Sequence, residues 1–221
     1  KTCTKKFAAP ERLLSLAGEN LSAMERMIDY NITNGVRMYR ISSDLVPFGS
    51  SLASGLPWDA IYREQLDRIA QKIKSSDMRV SMHPGQYTVL NSPDSGVIAR
   101  SIDDLSYHAR LLDALHLDET HKIILHVGGK YGDPTAAISR FSDVFANLDA
   151  SIQKRLILEN DGSIYHIDEV LELCYRIGVP AVYDNLHNEI NPADETKDDA
   201  YWVSLCGETW REVDGAQKTH Y

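Results

Sequence analysis

Ile123-Ile124-Leu125-His126-Val127-Gly128-Gly129 is a β-branched, apolar run that ends on an imidazole, and the same form recurs along the chain. Val80-Ser81-Met82 leads into His83, Leu156-Ile157-Leu158 into Glu159, and Ala181-Val182-Tyr183 into Asp184, with His187 just beyond. The last such run, Gln217-Lys218-Thr219, leads into His220; an earlier one at 37–43 has the shape without a ligand-type residue. Continuous apolar runs of this length mark strands buried on both faces, as in a parallel sheet covered by helices. Helical patterns lie between them at 11–30, 58–75, 101–116, 134–150, 166–178 and, less regularly, 196–210. Strand followed by helix, repeated, is the α/β signature.

An open doubly wound sheet shares that alternation but places its ligand at one crevice, where the strand order reverses. Here five consecutive strands each deliver a polar residue at the carboxyl end, and only a TIM (β/α) barrel gathers all those ends around one mouth. Six strands are countable where a barrel needs about eight. The expected architecture is therefore an incomplete barrel lacking its first and last strands. At 221 residues and 43% hydrophobic, with no linker-like stretch, the chain reads as one barrel domain over 1–221, a fragment of a longer protein. Cys3, Cys174 and Cys206 show no metal spacing and read as reduced thiols. No stretch is long and apolar enough to cross a membrane, and no signal peptide is visible.

The two carboxylates are the most telling residues. Closing an apolar strand on Glu159 or Asp184 is costly unless a cation or a dense hydrogen-bond network receives the charge. Each also has two oxygens, which suits bridging. His83 and His126 offer neutral nitrogen donors on neighbouring strands, and a mixed imidazole and carboxylate set fits zinc, manganese or iron better than calcium. The net charge of −9 argues against nonspecific wrapping of nucleic acid. Three divalent ions in the mouth, however, would add about +6 locally and reverse the field where a phosphate sits. The acidic run Asp194, Glu195, Asp198, Asp199 reads as a solvated face. His108, His116, His121 and His166 fall away from strand ends and read as structural, and Met24 and Met27 join Leu13, Leu14, Leu16, Leu21 and Ile28 in a helical core face. Gly128-Gly129 reads as a turn needing open dihedrals rather than as a phosphate cradle. In the 83–93 loop, Pro84 and Gly85 force a sharp exit that projects Gln86 and Tyr87 over the mouth. An amide beside an aromatic ring can fill a gap in a base stack; packing of Tyr87 on a neighbouring loop is the equal alternative.

The segments Arg40 to Ser50, Ser81 to Pro93, Leu125 to Gly129, Leu158 to Asp161, Asp184 to His187 and Gln217 to Tyr221 closely resemble the UV damage endonuclease family, in order, through nearly the whole chain. The resemblance implies a barrel related to endonuclease IV and a metal-dependent endodeoxyribonuclease. It also implies three divalent ions, manganese foremost, with zinc, magnesium or cobalt as alternatives. Such an enzyme nicks DNA immediately 5′ to a cyclobutane pyrimidine dimer or 6-4 photoproduct. By position, His83 and His126 would bind one metal and Glu159 would bridge to a second. Asp184 and His220 would hold that second ion, and His187 a third. Lys218 matches a lysine carboxylated in the family and, with Glu159, is assigned to the catalytic set. Gln86 and Tyr87 match the lesion-probing pair. The implied partner is damaged double-stranded DNA, bound by a monomer without an obligate protein partner or membrane. Its implied setting is intracellular, in a bacterial cytoplasm and nucleoid or a eukaryotic nucleus.

Two departures stand out. Ser51 occupies a position where the family commonly has histidine, and a further glutamate, histidine and probing aromatic are expected outside residues 1–221. The expected chemistry is metal-assisted phosphodiester hydrolysis leaving a 3′ hydroxyl and a 5′ phosphate. The alternatives are a metal-dependent sugar isomerase or epimerase on the same barrel, which has no use for Gln86-Tyr87 or Lys218, and an inactive damage-binding relic, suggested by Ser51.

Overall fold

In a computed structural model, which describes residues 1–221, six strands form one parallel sheet in strict chain order. They are β1 (Met38–Ile41), β2 (Arg79–Met82), β3 (Lys122–His126), β4 (Leu156–Glu159), β5 (Ala181–Asp184) and β6 (Thr219–His220). The helices are α1 (Pro10–Thr33), α2 (Trp58–Ile61), α3 (Arg63–Ser75), α4 (Ser95–Ala114), α5 (Pro134–Ala146), α6 (Ala150–Gln153), α7 (Ile167–Ile177), α8 (Asn185–Ile190) and α9 (Asp199–Gly207). The sheet curls into a partial TIM barrel. Its curvature shows in one contact: Arg40 of β1 and His220 of β6, on opposite edge strands, bring Nη2 and Nε2 to 3.0 Å.

The apolar runs divide between two faces with the strand period of two. Ile123, Leu125, Leu156, Leu158, Ala181 and Tyr183 join the large core shared with the helices. Ile124, Ile157 and Val182 form a separate cluster inside the barrel, packed against Trp210. Each of these three is fully buried and contributes about 1.5–3 kcal/mol. The alternation then decides where the site lies. Two residues beyond Ile124, Ile157 and Val182 come His126, Glu159 and Asp184, which therefore also face inward. The register carries the pattern sideways, pairing His126 with Glu159 and Asp184 with His220. Below this layer, Lys122 and Asp214, both 1% exposed, form an ion pair of 2.6 Å at the barrel floor. Arg79 of β2 ties that floor to the turn before β3 through the carbonyls of Asp214 and Thr120, each 2.8 Å away.

Several expectations need correction. The 101–116 helix begins six residues earlier, at Ser95, because the Asp94 carboxylate caps the amides of Gly96 and Val97. It stops at Ala114, so His116 lies in the following turn, with φ 51. The 58–75 helix is two helices broken at Tyr62, and the 134–150 helix breaks before Asp149, whose side chain caps α6. The six-residue α8 was not anticipated. Met27 is 47% exposed rather than in the core face. The acidic run is exposed, but two of its members also have structural roles: Asp198 caps α9, and Asp199 accepts a hydrogen bond from the Tyr183 hydroxyl at 2.6 Å. Gly128 has φ 109, and a Cβ there would strike Asn91 Oδ1, so the turn reading of this glycine is the one the backbone requires.

Candidate metal centre

Glu159 sits at the middle of the barrel mouth, 1% exposed, and its two oxygens face two different groups. Oε2 lies 2.8 Å from His83 Nε2 and 3.5 Å from His126 Nε2. Oε1 meets His220 Nδ1, and that nitrogen is 3.9 Å from Asp184 Oδ2. The donors of each triad, His83, His126 and Glu159 or Glu159, Asp184 and His220, all lie within 4.8 Å of one another. Ligands about 2.0–2.2 Å from a shared cation stand roughly 3.0–3.5 Å apart, so both groupings are sized for an ion, with Glu159 common to the two.

Second partners aim these donors. The other ring nitrogen of His83, Nδ1, is 3.0 Å from the Pro84 carbonyl. His187 turns its Nδ1 to the Asn160 carbonyl at 2.9 Å, which leaves Nε2 toward the mouth, and its ring centre lies 5.4 Å from that of His126. Asp184 divides its oxygens: Oδ1 accepts the His187 amide at 2.8 Å, capping α8, while Oδ2 points toward His220. The Asp-x-x-His spacing is thus a helix cap that also places an imidazole beside the cluster. Lys218 lies two residues before His220 on the same inward face.

Electrostatics favour cation binding. Burial alone would raise the Glu159 carboxyl, but the ring nitrogens of His220 and His83 more than offset it and hold the group well below the usual carboxylate range. Burial holds His126 below the ordinary imidazole range, helped by His83 and His187 against Glu159, which keeps its ring neutral and able to donate a lone pair. Burial, with Arg40 and Arg79 nearby, lowers the Lys218 ammonium to about 8 against the opposing pull of Glu159.

Sequence reasoning missed the supports of this site. Asn160, fully buried, clamps β4 to β5: its side chain donates to the Asp184 carbonyl at 3.0 Å and accepts the Asp184 amide at 2.9 Å. Ser43 donates to the His83 carbonyl at 2.9 Å and contacts the buried His108 at 2.9 Å. Asp104, one turn earlier on α4, accepts from Thr88 at 2.6 Å, and Ser101 accepts the Val89 amide at 2.9 Å. A polar stripe of α4 therefore anchors both ends of the 83–89 loop. The spacing 101, 104, 108 is one helix face, and polar residues on an inward face were the available signal. At the loop tip Gln86 is exposed and Tyr87 is 83% exposed, so Tyr87 does not pack on a neighbour.

Comparison with known proteins fits this geometry. The family model described as UV-endonuclease UvdE matches residues 2–221. A UV DNA damage endonuclease of Clostridium perfringens (strain 13 / Type A) is 40% identical over 212 residues, covering 96% of this chain and 51% of that relative. One of Bacillus velezensis is 33% identical over 212 residues, covering 95% and 65%. The chain thus spans between half and two-thirds of these relatives. The crystal structure of SacUVDE superposes with a TM-score of 0.91 at 33% identity, over 96% of this chain and 72% of that one. Endonuclease IV from Thermus thermophilus has a TM-score of 0.60 at 14% identity, over 86% and 67% of the two chains, a likeness of fold alone. Matched by the family model over residues 2–221 and in shape over 96% of its length, the chain belongs to the UV-endonuclease UvdE family.

Proposed function

We propose that this chain carries the metal centre of a DNA repair endonuclease that nicks the backbone immediately 5′ to UV lesions in double-stranded DNA. The observation that supports it most is the position of Glu159 between two donor triads, beside an exposed Gln86-Tyr87 tip on the same rim. His83, His126, Asp184, His187 and His220 would hold divalent ions, manganese foremost, around the Glu159 bridge. When bound, such ions polarise a phosphoryl oxygen and lower the pKa of water. The chain's own residues do the rest. Glu159, kept ionised by its imidazole neighbours, holds the two halves of the site at fixed separation. Lys218, with its ammonium weakened by burial, is an amine open to carboxylation, which would turn a repelling cation into a further ligand for a third ion. Gln86 and Tyr87 fill the gap left by a damaged dinucleotide, which has already lost stacking and is cheaper to extrude than intact bases.

Incubating the intact protein with manganese and a duplex carrying one cyclobutane dimer is the test. A single nick 5′ to the dimer, ending in a 3′ hydroxyl and a 5′ phosphate, is expected; an uncut duplex under every divalent ion tried would count decisively against the reading. The sugar epimerase alternative shares the fold, as a D-psicose 3-epimerase structure at TM-score 0.59 and 12% identity illustrates. Yet an exposed aromatic tip serves a small sugar poorly. If Ser51 marks an inactive relic, lesion binding without turnover is the outcome, and Ser51→His changes nothing.

A further inference from the structure

Beside the metal centre opens a cleft of about 1140 Å³, walled by the 42–51 loop after β1, the 83–88 loop and the first turns of α4. Two guanidinium groups line it, Arg40 from β1 and Arg100 from α4. Three basic residues outside the cleft are already engaged, and Lys218 belongs to the proposed ligand set. Lys130 pairs with Glu169 at 2.6 Å, Arg110 with Asp59 at 2.7 Å, and Arg140 donates to the Asn91 carbonyl at 2.9 Å. Arg40 and Arg100 have no carboxylate oxygen within 4.0 Å, although Asp44 and Asp104 line the same cleft. The one polar contact of Arg40 is His220 Nε2 at 3.0 Å, and Arg100 has none.

In a chain of net charge −9, the cleft beside the metal centre is lined by two guanidinium groups that no carboxylate pairs with. A guanidinium is a planar fork of donors that matches two oxygens of a phosphodiester. We propose that Arg40 and Arg100 grip backbone phosphates of the strand drawn across this cleft. Arg40, beside the Glu159, Asp184 and His220 group, takes the phosphate nearest the reacting centre, and Arg100 takes one further along. The assignment rests on the reading of the chain as a DNA endonuclease. It adds a phosphate-binding track built from residues outside the metal-ligating set, and it explains how an acidic protein holds a polyanion before its metals are engaged.

The experiment measures affinity for a duplex carrying one cyclobutane dimer across a salt series, with calcium as the divalent ion and again in EDTA, for the intact protein and for Arg40→Gln, Arg100→Gln and the double variant. Each lost phosphate contact lowers the slope of log K against log salt by about 0.7–0.9. The double variant should therefore lose about 1.4–1.8, with each single variant binding about tenfold more weakly at low salt. Arg100→Lys should keep the slope, and Arg176→Gln, on the outer helix α7, should match the wild type. In turnover, the Arg100→Gln loss should fall on KM and the Arg40→Gln loss on kcat as well, a split that a merely structural role does not produce. Unchanged slopes in both single variants, with the wild type still preferring the lesion, overturn this inference alone. A wild-type protein that shows no lesion preference, or no DNA binding, overturns the functional reading and this inference with it.

Discussion

Replacing Glu159 by glutamine keeps the size of the side chain and removes one oxygen and the charge. Without metal, the loss is a buried charge-assisted hydrogen bond to His83 at 2.8 Å and a second contact to His220. One such bond is worth about 1.5–3 kcal/mol, which at about 2–4 °C per kcal/mol for a protein of this size lowers Tm by roughly 3–12 °C. Because the folded-state carboxyl lies below its ordinary value of 4.5, this contribution is complete above that pH and fades as the solution is acidified below it. The gap between wild type and Glu159→Gln should narrow correspondingly in acid. Metal makes the sharper test. An ion at a hundredfold excess over its Kd stabilises the folded state by about 2.7 kcal/mol per site. Two sites sharing Glu159 therefore raise the wild-type Tm by roughly 10–20 °C. Calorimetric melts across a manganese titration should show that rise in the wild type and most of it missing in Glu159→Gln. An equal rise in the two proteins would refute a bridging role.

Three further outcomes follow from other residues. Tyr87→Ala should leave the melting temperature within the noise, since the ring is 83% exposed. It should weaken binding to lesion-bearing DNA by the roughly 1–3 kcal/mol typical of one lost base stack, read by fluorescence anisotropy. Lys122→Met strands Asp214 at the barrel floor with only Arg211 as partner and should cost about 3 kcal/mol in urea unfolding, the lower end of the range for breaking a buried pair. The ammonium of Lys218 is lowered from 10.5 to about 8 by burial and by Arg40 and Arg79. The unfolded chain thus holds the extra proton between those values, and stability from this group climbs as pH rises through that window. Lys218→Met should flatten that climb in urea titrations, and a fully carboxylated Lys218, detected as an added CO₂ by intact mass, should do the same.

Much of the barrel was legible because apolar runs such as Ile123 to Leu125 and Leu156 to Leu158 must be buried on both faces, and helical spacing separates them. The inward direction of His126, Glu159 and Asp184 follows from strand alternation once Ile124, Ile157 and Val182 are known to face the interior. What the sequence hid was set by tertiary partners. Asp94 starts α4 early because a cap outweighs the weak helical pattern of 95–100. Met27 has the helical spacing of its buried neighbours, yet it falls at the edge of the α1 core face, covered only in part, with the Tyr39 hydroxyl of β1 against its sulfur, and stays 47% exposed. Asn160, Ser43 and His108 carry no ligand signature. Asn160 and Ser43 matter because they bond backbone groups of Asp184 and His83, and His108 because it contacts the Ser43 hydroxyl, partnerships settled only by the tertiary fold. Arg40 was legible only as part of a motif; its lack of a carboxylate partner, which gives it meaning, is a property of the folded cleft.

Anomalous diffraction from crystals of the manganese-loaded protein tests most directly whether donors from separate strands converge on cations bridged by Glu159. Two peaks should flank the Glu159 carboxylate, one within coordinating distance of His83 and His126 and the other of Asp184 and His220, with any third nearest His187. Manganese peaks away from Glu159, or a single ion that does not touch its carboxylate, would contradict the account.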